Sequence, residues 1–203
     1  MIINTFQYRP EGMDCTHCAM YGGKKQGCTA KVCPWLAERI EAGLVGYKEA
    51  VMETFPHDAH LSARLHTAIS HFSGSLFDGP DHRKRMEEME ARQDGRSKRE
   101  VPAHLAAMYL LTANEDIYSR TINCICEHCI EFSRAVKQGI SPHNYTLLSA
   151  ARDIYEDAAG IMLNDLACAD VVDTLAFSLI VNALLVVRYG CAVLKISDRE
   201  GKA

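Results

Sequence analysis

Apolar positions recur every three or four residues along most of the chain, and β-type alternation is nearly absent beyond residue 30. Leu36, Ile40, Leu44, Tyr47, Val51 and Phe55 form one such face. It predicts a first helix that follows Cys33-Pro34 and stops at Pro56. Gly43 and Gly46 weaken it, each by roughly 1 kcal/mol relative to Ala. Leu61, Leu65, Ile69 and Phe72 predict a second helix, ended near Gly74. A short polar helix is expected over 81–94, then an exposed link over Gly95–Arg99. After Pro102 the pattern reads as helical to Val136, with Asn114 capping a fresh start. Ser141-Pro142 opens a helix through Leu147, Ala151, Ile154 and Tyr155, ended by Gly160. Asp170 is expected to cap the last helix, over 171–189, which is apolar on most faces and therefore central. Four of the six prolines, Pro34, Pro80, Pro102 and Pro142, stand just inside a helix start, where a missing N–H costs nothing. The expectation is a mostly α, multi-helix bundle of six to eight helices over 35–203, with a charged, exposed segment at 81–100 and a small separate module over 1–34.

Composition narrows this picture. A chain of 203 residues with 48% hydrophobic and 24% charged positions excludes global disorder and can bury a core without disulfides. The longest apolar run, Leu175–Val187, is interrupted by Ser178 and Asn182. It falls short of the ~20 residues that span a bilayer, so it reads as a core helix and no membrane partner is expected. The opening residues lack the basic start and apolar stretch of a signal peptide. The nine cysteines are therefore expected in a reducing cytoplasm. A net charge of −4 argues against a dedicated polyanion binder.

The strongest chemistry lies in Cys15, Cys18, Cys28 and Cys33, spaced C-x2-C, nine residues, C-x4-C. A C-x2-C loop lets two thiolates grip one ion, and four thiolates fill a tetrahedral zinc shell, leaving no position for water. Gly22-Gly23 suits a hairpin turn between the pairs. A knuckle, a hairpin and ligands at a helix start resemble the treble-clef and zinc-ribbon group of zinc fingers, over about residues 13–40. The resemblance implies a structural zinc ion. Four such thiols also suit an iron–sulfur cluster, redox disulfides or plain buried packing. Lys24, Lys25 and Lys31 either offset the thiolate charge or contact phosphate.

Weaker signals remain. Cys124, Cys126 and Cys129 fall with His128 in a stretch read as helical. Cys124 and His128, four apart, would then share a face as a second metal or thiol site, while burial of all three cysteines as small apolar groups is the plainer reading. His57-Asp58 with His60 is similar to the central pair of HD phosphohydrolases, though the only earlier histidine is His17. Arg83, Lys84 and Arg85 begin the run of thirteen charges over 81–100, either a solvated face or an anion contact. No phosphate loop, serine-hydrolase elbow or metalloprotease motif is present, so no catalytic residue is assigned. The leading expectation is a non-enzymatic intracellular interaction protein, an adaptor, inhibitor or regulator carrying structural zinc and meeting another protein. The alternatives are a nucleic-acid-binding regulator using the zinc module and segment 83–99, and an HD-like metal-dependent hydrolase.

Overall fold

The structure, a computed structural model, describes residues 33–55, 60–92, 101–126 and 129–196. Among these there are nine α-helices and no strand: α1 (Pro34–Glu41), α2 (Tyr47–Thr54), α3 (Ser62–Ser70), α4 (Gly79–Arg92), α5 (Pro102–Leu111), α6 (Glu115–Thr121), α7 (Pro142–Glu156), α8 (Leu163–Ala167) and α9 (Thr174–Tyr189). Short 3-10 turns cover Phe132–Arg134 and Gly190–Lys195. The helical bundle expected from the periodicity is present, with one more helix than the upper expectation. The Cys15, Cys18 and Cys28 positions, together with Lys24, Lys25, Lys31, His57, Asp58 and His128, lie outside the described residues.

The centre is α9. Eleven of its sixteen side chains are buried, and it touches α1, α2, α3, α5 and α7. α5 is buried nearly all round, against α7 and α9. Leu179, Ile180 and Leu184 are fully enclosed, while Val187 is half-buried at the edge of the core. Thr174–Lys195 is long and apolar enough to cross a membrane by length and composition, at a mean hydropathy of 1.9 over its most apolar window. Here 72% of that window is buried within the protein.

A buried polar chain keys these helices together. Tyr47 Oη donates to Asn182 Oδ1 at 2.8 Å, and Asn182 Nδ2 donates to the Leu76 carbonyl at 3.1 Å. Tyr109 Oη donates to the same carbonyl. His82, fully enclosed, accepts the Asp78 N–H on Nδ1 at 3.1 Å. Its proton therefore sits on Nε2, which donates to the Tyr109 carbonyl at 2.9 Å. Burial holds this imidazole down at a pKa of about 4.

Four sequence expectations need correction. The predicted first helix is two. Gly43 takes φ +70°, its N–H bonds to Ile40 O and that of Leu44 to Arg39 O, both at 2.9 Å. That pattern closes α1 with a left-handed glycine cap. α2 then starts at Gly46, whose N–H donates to the Glu49 carboxylate. The last helix begins later than expected, because Asp173 rather than Asp170 accepts the Ala176 N–H. Segment 81–100 is not a solvated face throughout, since His82, Met86 and Met89 of α4 are buried. The helical reading of 122–136 fails: α6 ends at Thr121. In contrast, Asn114 and Ser141 cap α6 and α7 as expected, accepting from Ile117 N and Asn144 N.

Candidate metal centre

After α6 the chain turns and pairs with itself. Ile125 and Ile130 form an antiparallel bridge. Cys126 N–H donates to Cys129 O at 2.9 Å, and Glu131 N–H to Cys124 O at 2.8 Å. This register sets Cys126 opposite Cys129 and Cys124 opposite Glu131. Side chains alternate between the faces of a pleated pair. The two isoleucines therefore share one face, and the three cysteines and Glu131 share the other. Ile130 is buried and Ile125 packs at the core edge, so the apolar face fixes which way the hairpin lies.

The hairpin stands on firm supports. Ile130 N–H donates to Tyr155 Oη at 3.3 Å, and Tyr155 meets the buried Phe132 ring. Arg120, on α6, donates to the carbonyls of Val136, Gln138 and Gly139 and pairs with Asp116 at 2.7 Å. That contact draws the Asp116 carboxyl below its ordinary range.

On the polar face, ligand atoms of Cys126, Cys129 and Glu131 lie within 4.8 Å of one another. Cys126 Sγ is 3.7 Å from Glu131 Oε1 and 3.9 Å from Arg134 Nη1. Glu131 is paired with Arg134 at 2.6 Å. Burial, then the nearby Glu131 charge, pushes the Cys126 thiol up; burial does the same to Cys124. Both effects favour the protonated form, and the nearby Arg134 charge opposes them. Two soft sulfurs and one carboxylate suit zinc and its close relatives rather than magnesium or calcium. All three residues are half-buried, so an ion can reach them.

The sequence offered Cys124 and His128 here as a possible second metal or thiol site. Cys124 is fully buried, and His128 lies outside the described residues. The groups that the hairpin brings together are Cys126, Cys129 and Glu131. Two signals were available: the alternation Cys124-Ile125-Cys126 ahead of Cys129-Ile130, and Cys126-Glu-His-Cys129 repeating the Cys-x-His-Cys form of Cys15–Cys18. Cys33, the one described member of the first cluster, is buried in the hydrophobic core ahead of α1.

The basic triplet disperses. Arg83 lies over the Phe77 ring at 4.7 Å, and Lys84 projects outward beside Glu88. Arg85 is turned inward, donating to the Thr112 and Ala113 carbonyls at 2.8 Å, where it satisfies the end of α5. Successive helical residues are turned by about 100°, so three adjacent cations cannot share a face. A groove of about 560 Å³ beside α7 is lined by Tyr145, Arg152, Asp153 and Asp165. Its buried carboxylate, Asp153, is occupied by the N–H groups of Gly160 and Ile161 at 2.9 and 2.6 Å. That role is structural. No family model matches the chain, and no curated protein or solved structure matches it either.

Proposed function

We propose that the protein is a thiolate metal-binding interaction protein, in which Cys126, Cys129 and Glu131 hold one zinc ion on a hairpin fixed to a helical body. The observation that carries the reading is the convergence of three ligand atoms within 4.8 Å on one face of that hairpin. Zinc takes four ligands, so one position remains for water or a further donor. Binding displaces the thiol protons, so affinity rises with pH. The four-cysteine set Cys15, Cys18, Cys28 and Cys33 is proposed, on its spacing alone, to hold a second, structural zinc.

The body is proposed to act without catalysis, as an adaptor, inhibitor or regulator in a reducing compartment such as the cytoplasm. Supporting this, the buried carboxylate of the groove beside α7 is spent on backbone, while Trp35, Leu44, Tyr145 and Val171 are large apolar side chains at least half exposed. The test is metal analysis of the full chain purified under reducing conditions. Two zinc equivalents are expected, falling by one in Cys129→Ser. A count unchanged by that substitution removes the hairpin site.

A further inference from the structure

We infer that the Cys126–Cys129 pair is a redox-reversible latch on this metal, opened by peroxide or by a low-molecular-weight disulfide. The inference rests on the zinc reading above and adds regulation to it. Three features carry it. First, the two cysteines are directly opposed across the hairpin, joined by the 2.9 Å Cys126 N–H to Cys129 O bond. Opposed hydrogen-bonded positions have Cα atoms about 5.5 Å apart, inside the roughly 4.4–6.8 Å a disulfide spans. Rotation about the side-chain bonds can bring sulfurs already within 4.8 Å together without moving the backbone. Secondly, both are half-buried, whereas Cys124 is fully enclosed and therefore shielded from a solvent oxidant. Among the described residues Cys168 is half-buried and Cys191 exposed, so the disulfide map must account for these two thiols as well. Thirdly, two of the three ligands are sulfur. Joining them leaves Glu131 alone, and one carboxylate already paired with Arg134 does not retain zinc. A four-thiolate site losing two ligands would still keep two.

The chemistry balances. One thiolate attacks a peroxide oxygen; the O–O bond breaks, a sulfenic acid forms and the departing oxygen takes a proton to become water. The other thiolate attacks the sulfenic sulfur; the S–S bond forms and the S–O bond breaks, releasing a second water after protonation. The zinc-bound dithiolate, hydrogen peroxide and two protons thus become the disulfide, free zinc and two waters. With a disulfide oxidant the same electron pair goes to two released thiols, and a dithiol reverses the change by exchange.

The test uses the full-length, zinc-loaded chain. Stoichiometric hydrogen peroxide is added, zinc release is read with a chromogenic chelator, and disulfides are mapped by non-reducing peptide mass analysis. The expected result is loss of one zinc equivalent per chain together with a Cys126–Cys129 disulfide, both reversed by dithiothreitol plus zinc. Cys124→Ala should release zinc at a rate within twofold of the parent. Zinc retained with both thiols reduced, or release accompanied by sulfinic acids or a Cys124 disulfide, overturns the latch. A separate control asks whether zinc protects Cys126 and Cys129 from alkylation under reducing conditions. Absence of protection defeats the metal reading itself; protection without oxidative release defeats only the latch.

Discussion

The α5–α9 centre and the hairpin at 124–131 are built from the same kinds of residue and held in opposite ways. In the centre, Leu, Ala and Val side chains are enclosed on all sides, and polar groups such as Asn182 have partners in the protein. Shape and burial supply the stability there. At the hairpin a single bridge and two isoleucines fix the backbone, while the opposite face gathers two thiols, a carboxylate and a guanidinium in half-exposed positions. A two-strand hairpin alone is marginal in water.

Substitution in the centre should give the largest effect. Leu184→Ala leaves a cavity beneath α9 and is expected to cost about 2–5 kcal/mol in denaturant unfolding; a loss under about 1 kcal/mol would mean that α9 is not the core.

Acid should act next, again on the centre. The folded pKa of His82 is about 4, below the ordinary value of 6.5. The unfolded chain then binds the proton more readily, so stability is full above pH 6.5 and falls as pH drops toward 4. The loss should be about 3 kcal/mol, concentrated between those values. Urea titrations at successive pH values would show it; a flat profile across that window would remove His82 as the cause.

Zinc separates the two regions most directly. At about 100 times its dissociation constant, an ion bound only by the folded state adds about 2.7 kcal/mol. That increment should appear in the parent and be missing from Cys126→Ser with the N-terminal set intact, measured as the difference between the two proteins. Without metal the same substitution should cost under about 1 kcal/mol, because the thiol makes only weak contacts.

The smallest effect belongs to the surface. Lys84→Ala breaks only an exposed pair with Glu88 and should change stability by no more than about 0.5 kcal/mol. A larger change would make α4 a structural face.

The helical frame was readable because caps and periodicity act locally. Asn114, Ser141 and the apolar run of α9 each declare their role within a few residues. The break between α1 and α2 was harder, since the apolar face of Leu36 to Phe55 continues in register through Gly43, whose left-handed conformation only the backbone reveals. The candidate metal centre was hardest. Its cysteines also fit a helical spacing, and choosing the hairpin requires knowing that Ile130 has Tyr155, 25 positions away, to bond to. The inward turn of Arg85 was hidden for the same reason: its carbonyl partners lie 27 and 28 residues further on.

The position of α9 in the chain has a consequence for how the protein is made. It follows every other described α-helix, yet five of them pack against it. Tyr47 bonds to Asn182 across 135 positions, and Arg64 reaches carbonyls 102 and 108 positions away. At roughly 5–20 residues per second, a ribosome needs on the order of 10 s to travel from Tyr47 to Asn182. Throughout that interval α5 and α7 can pair, but the faces of α1, α2, α3, α5 and α7 that pack on α9 have no partner. Apolar surface of the nascent chain therefore stays open until α9 clears the exit tunnel, and a message truncated before α9 is expected to yield a product for proteolysis rather than a smaller folded protein.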